Sequence, residues 1–177
     1  MTLHPSSPCT AATEIAVAVA RPRPCHLDLR YAVTGNIAGL RMPERVAPER
    51  IDGLWRHTCF EAFVQASPGG PYYEFNFAPS TRWAAYRFDS YRGGMTVADG
   101  IGAPGIEVLS HGARYELRAA FELRRVPDLP GDAAWRLGLS AVIEEVDGTL
   151  SYWALAHPPG RPDFHQSDCF TLELPAA

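Results

Sequence analysis

The chain has 177 residues, with 15 glycines, 16 prolines and a formal net charge of −4. All 16 basic residues are arginine and none gather into a run, so nucleic acid is not an expected partner. No apolar stretch approaches the roughly 18 residues of a membrane-spanning helix, and the length suits one turn-rich domain able to bury about 70% of its unfolded surface.

The segment MTLHPSSPCTAATEIAVAVARPRP holds no basic residue before Arg21, and its one apolar run, Ile15 to Ala20, alternates like a strand. A secretory signal needs a basic start followed by about 7–15 apolar residues. Residues 1–12 are therefore expected to be a disordered leader, residues 13–177 a single domain, and the location cytoplasmic. Cys9, Cys25, Cys59 and Cys169 are scattered with no C-x-x-C pair. That spacing suits free or buried thiols rather than a zinc cluster or a disulfide framework, and no metal or cofactor is expected.

Period-two alternation then recurs along the chain, which is the pattern of half-buried strands. Cys25, Leu27, Leu29, Tyr31 and Val33 share one face, with His26, Asp28 and Arg30 opposite. Tyr115, Leu117, Ala119, Phe121 and Leu123 form a second apolar set, and Trp135, Leu137, Leu139, Ala141 and Ile143 a third. Phe170, Leu172 and Leu174 alternate in a last strand. Gly/Pro-rich breaks separate the runs, and Asp147-Gly148 marks a tight hairpin. No window carries a long helical period. The expected fold is one all-β antiparallel sandwich, jelly-roll or immunoglobulin-like, of about ten strands.

The chemistry is concentrated in residues 54–89. In Leu54 to Gln65 the even positions Phe60, Ala62 and Val64 make the better core face, leaving Trp55, His57, Glu61 and Phe63 opposite. In Tyr72 to Ala78 the inward set is Tyr73, Phe75 and Phe77, with Tyr72, Glu74 and Asn76 behind. In Thr81 to Asp89, Ala84, Tyr86 and Phe88 are read as inward, and Trp83 and Arg87 as outward. Paired as a meander, the non-core faces form one surface of Trp55, His57, Glu61, Tyr72, Glu74, Asn76, Trp83 and Arg87. Aromatic plates beside fixed hydrogen-bonding groups suit a ligand with apolar CH faces and hydroxyl edges, which describes a sugar ring. A loop or the N-terminal segment folded over this face would instead make it a second small core.

Residues 54–64, LWRHTCFEAFV, resemble the W-x-x-D-x-V-E-[IV]-F-[IVL] strand of family-nine carbohydrate-binding modules and of the related DOMON-like domains. The likeness runs on through YYEFNFAPSTRWAAYRFDSYR (72–92) and SYWALAHPPGRPDFHQSDCFTLEL (151–174). It implies a non-catalytic sandwich that binds a carbohydrate or similar small ligand. By the same resemblance Trp55 matches the first sugar-stacking tryptophan, Glu61 the strand glutamate, and Phe164 falls near the second stacking aromatic. His57-Thr58 departs from the polar-Asp pair of the modules. Arg161 and His165 lie beside Phe164 and complete the candidate ligand set.

Other chemistries compete for the same residues. A protein-binding patch could be built on Trp55, Trp83 and Phe164. A metal-dependent hydrolase would require His57, His157, Asp163, His165 and Asp168 to converge, and a glycoside hydrolase could pair Glu61 with Glu74. Some DOMON domains hold haem between Met and His, for which only Met42 and Met95 are available beyond Met1. An open cleft between Trp55 and Phe164 would favour a small ligand, and a flat patch a protein partner.

Overall fold

In the computed structural model, which describes all 177 residues, the alternating runs become strands because each can bury one face. Twelve form, in chain order β1 (Thr2–Leu3), β2 (Ala12–Ala20), β3 (His26–Gly35), β4 (Cys59–Gln65), β5 (Tyr72–Phe77) and β6 (Trp83–Phe88). They continue as β7 (Thr96–Val97), β8 (Gly105–His111), β9 (Arg114–Glu122), β10 (Trp135–Glu144), β11 (Leu150–Ala154) and β12 (Leu172–Leu174). One eight-stranded sheet runs β1–β11–β10–β4–β5–β6–β7 with β12 also on β10, and a four-stranded sheet runs β2–β3–β9–β8. All the ladders are antiparallel, as expected for the sandwich. No helix is long and apolar enough to cross a membrane.

The core between the sheets is built from the apolar sets read off the sequence. Leu27, Leu29, Tyr31 and Val33 of β3 and Leu117, Ala119 and Phe121 of β9 face Phe60, Ala62 and Val64 of β4, Phe75 and Phe77 of β5, and Leu137 and Leu139 of β10. The Tyr31 hydroxyl crosses this core and donates to the Glu61 carbonyl at 2.7 Å, which satisfies a buried polar group and ties the two sheets together beside Glu61.

A second, smaller apolar cluster lies on the back of the large sheet. It joins Phe63, Tyr72, Ala84, Tyr86, Phe88 and Phe170, with Leu54, Trp55 and Phe164 packed at its margin. The chain after β11 supplies its cover. Gly138 of β10 makes room for it, since a Cβ there would stand 2.5 Å from the Phe170 ring.

Two expectations are corrected. Strand β6 presents Trp83 and Ala85 to the main core, while Ala84, Tyr86 and Phe88 face the opposite way. The cause is register: Trp83 pairs with Phe77 and Ala85 with Phe75, and residues directly opposite in an antiparallel ladder share a face. Trp83 is thus covered by the Arg50 guanidinium, 4.3 Å from its ring, and Arg87 is bonded to Asp128 and Asp89. Phe88 is buried as expected, but in the second cluster. The expected leader is ordered as well. Thr2 and Leu3 pair with Ala154 and Trp153, the Met1 ammonium donates to the Ile15 carbonyl at 2.8 Å, and His4 is buried. The Glu145 carboxylate accepts from the Thr10 and Ala11 amides at 2.6 and 2.9 Å, a clamp that alternation in the sequence cannot reveal.

Phe75 is buried against the Phe121 ring, with centroids 4.8 Å apart. Phe75→Ala is expected to destabilise the protein by about 3–5 kcal/mol in denaturant melts, because it removes an aromatic from the centre of the sandwich and leaves a cavity.

Candidate functional site

The outward face of the large sheet is laid out in rows by the ladder pairings. In one row Ala154 of β11, Ser140 of β10, Glu61 of β4, Asn76 of β5 and Ala84 of β6 stand side by side. In the next, Gly138, Phe63, Glu74 and Tyr86 do so. On the other side of the first row, Tyr152 is opposite Val142. The result is two carboxyls on adjacent strands, offset by one row, on a sheet face that also carries the polar Ser140 and Asn76 beside apolar residues.

Above them lies a cavity of about 330 Å³, lined by Trp55, Glu61, Glu74, Phe88, Arg92, Met95, Val142, Tyr152, Pro162, Asp163, Phe164 and His165. Its floor is the sheet and its walls are loops. Trp55 comes from the 3-10 turn Leu54–Arg56 and sits edge-on to Tyr86 at 5.7 Å. Phe164 and His165 come from the segment that covers the second cluster, and Arg92 from the turn after β6.

A continuous hydrogen-bond chain holds the polar part. The Arg92 amide donates to the Tyr72 hydroxyl at 3.2 Å, and that hydroxyl lies 2.9 Å from His165 Nδ1. That hydroxyl thus engages Nδ1, and the other ring nitrogen, Nε2, lies 3.7 Å from a Glu74 oxygen. Asp163 accepts from the Arg92 guanidinium at 2.9 Å, from the His165 amide at 3.0 Å, and from the Tyr91 hydroxyl. Arg92 itself has φ +52, a left-handed backbone conformation costly for a residue with a side chain and held here by these bonds.

Glu61 is 2% exposed and Glu74 5%. Burial raises the Glu61 carboxyl to about 8, with the Glu74 charge adding to it and the Ser140 hydrogen bond and Arg92 opposing. Burial raises Glu74 to about 7 against the pull of Asn76 and Arg92. Burial and the Arg92 charge together lower His165 to about 4, so it is neutral at physiological pH.

Of the residues expected at the site, Trp55, Glu61, Glu74, Phe164 and His165 line the cavity. Tyr72 and Asn76 support it from beneath, through His165 and through a 2.7 Å bond to Glu74. His57 turns away to bond Glu144 at 2.8 Å, Arg161 is exposed outside the cavity, and Trp83 and Arg87 are on the far side of the sheet. The His/Asp set does not converge: His157 bonds the Thr2 carbonyl, Asp168 is exposed, and only Asp163 and His165 adjoin. Met95 borders the cavity with His165, yet both ring nitrogens of that histidine already face Tyr72 and Glu74. Arg92, Val142 and Tyr152 were not singled out from sequence. Ser140, set between Gly138 and Val142 on the non-core face of its strand, was the available sign that β10 also borders a polar floor.

No protein-family model matches the chain, and no curated protein does. Among solved structures it is similar to a "putative carbohydrate-binding protein" from Bacteroides uniformis, with a TM-score of 0.64 at 14% identity. The match covers 89% of this chain and 76% of that one. At that identity the two proteins share a fold.

The raised carboxyls set a pH dependence. Between about pH 4.5 and 8 the folded protein keeps protons on Glu61 and Glu74 that the unfolded chain has released, so stability falls as pH rises. The lowered His157 and His165 act the other way, but only up to about pH 6.5. From pH 7 to 8.5 the wild type is expected to lose about 1–2 kcal/mol of stability. The double variant Glu61→Gln/Glu74→Gln is expected to show a flat profile across the same range in thermal and denaturant melts.

Proposed function

We propose that the protein is a non-catalytic carbohydrate-binding domain of the DOMON-like and family-nine type, with its ligand in the cavity between Trp55 and Phe164. The observation that carries this reading is the shape of that place. It is a concavity walled by two aromatic plates over a hydrogen-bonding floor, and not a flat patch. An aromatic plate takes the CH face of a sugar ring, and the carboxyls of Glu61 and Glu74 offer partners to its hydroxyls. A protein-binding patch of Trp55, Trp83 and Phe164 has less support, because Trp83 is inside the main core. The fold shared with the Bacteroides uniformis protein supports the reading at the level of architecture.

Calorimetric titration with mono- and oligosaccharides tests it. The wild type is expected to bind a sugar, and Trp55→Ala to weaken that binding by about thirtyfold, the usual consequence of losing an aromatic anchor. Since Trp55 is only half-buried, on a turn outside the main core, the variant is expected to melt close to wild type. Absence of any sugar binding by the wild type, or unfolding of Trp55→Ala, would overturn the reading.

A further inference from the structure

The floor of the cavity holds two buried carboxyls whose hydrogen-bonding capacity its surroundings do not fill. The Glu61 carboxylate accepts one hydrogen bond, from the Ser140 hydroxyl to Oε2 at 2.9 Å, and its Oε1 has no partner. Glu74 Oε1 accepts from Asn76 at 2.7 Å, while Oε2 has only the His165 ring nitrogen at 3.7 Å, beyond hydrogen-bond range. Both side chains are more than nine-tenths buried, and both line the cavity. The one arginine that lines it, Arg92, is already engaged by Asp163. Next along the sheet, Glu144 is matched by His57 and Arg41, which leaves Glu61 and Glu74 as the pair without a cation of their own.

A neutral sugar would bring no countercharge to either carboxyl, because hydroxyls carry no charge, and burial would keep them protonated. A buried carboxylate is strongly favoured by a cationic hydrogen-bond donor that sits directly on its free oxygen. We infer that the ligand is an amino sugar with a free ammonium group, held with the ammonium between Glu61 and Glu74 and the ring against Trp55 or Phe164. This rests on the carbohydrate reading and makes it more specific. A bare divalent cation suits the place poorly, since calcium takes about six to eight oxygens, and Trp55, Phe88, Met95 and Phe164 supply none.

The test is calorimetry at pH 7 with glucosamine, galactosamine and mannosamine, each beside its parent hexose and its neutral N-acetyl form. The best amino sugar is expected to bind at least about tenfold more tightly than either neutral counterpart, in keeping with a charge-assisted bond. Glu61→Gln and Glu74→Gln are each expected to abolish that advantage, so that an amino sugar and its parent hexose bind each variant within about threefold of one another. Both are close in shape to the native side chain and remove a carboxyl that burial disfavours, and the comparison of ligands on wild type stands without them. Hexoses that bind as tightly as amino sugars would overturn the inference and leave carbohydrate binding standing. An amine advantage that survives both substitutions would also overturn it. If no hexose, amino sugar or N-acetyl sugar binds, both readings fall together.

Discussion

The register of four central strands is the constraint on which the rest depends. β10, β4, β5 and β6 are paired so that Leu139, Ala62, Phe75 and Ala85 stand in one line facing the small sheet. The same pairing places Ser140, Glu61, Asn76 and Ala84 in a line on the reverse. A slip of one residue in any of the strands would exchange its faces, and in β4 or β5 it would send a glutamate into the apolar core and a phenylalanine to the floor of the cavity. Core packing therefore fixes the polar site: the free energy of burying Phe60, Phe75 and Phe77 also holds Glu61 and Glu74 where water scarcely reaches them.

That arrangement is costly in isolation. Two carboxyls on neighbouring strands, both buried, lose hydration and repel one another when charged. The structure offsets part of the cost with single hydrogen bonds from Ser140 and Asn76 and with the field of Arg92, and leaves the remainder as raised proton affinity. Neutral His165 adds no charge to the balance. A scaffold selected for stability alone would place Thr or Val at positions 61 and 74, so the two carboxyls are a cost that the packing of the fold does not itself require.

The apolar sets of β3, β9 and β10 were legible because each strand has one apolar and one polar or small face, and alternation then has a single solution. Glu61, Tyr72, Glu74 and Asn76 were legible for the same reason. β6 was not, since Trp83 with Ala85 and Tyr86 with Phe88 are comparably apolar sets, and the choice between them is made by the turn from Ala78 to Arg82 and the ladder to β5. The N-terminal segment looked unstructured because its order comes from partners far along the chain, Ala154 and Glu145, and not from its own pattern. Arg92 was hidden in what looks like an ordinary Arg-Gly-Gly turn. Its role depends on Asp163, 71 positions away, which no local spacing records.

The division of the cavity between sheet and loops has an evolutionary consequence. Glu61, Glu74 and Val142 sit on strands whose alternate residues build the main core, so insertion or deletion there would exchange the faces of the strand and is constrained by folding. Trp55, Arg92, Met95 and Phe164 sit on turns and on the covering segment, where exchanges and insertions disturb few ladder bonds. Descendants of this sequence could thus reshape the walls of the cavity by drift while inheriting its acidic floor unchanged. Diversity among relatives would then concentrate in three short stretches of chain, around positions 55, 92 and 164, on a frame that barely moves.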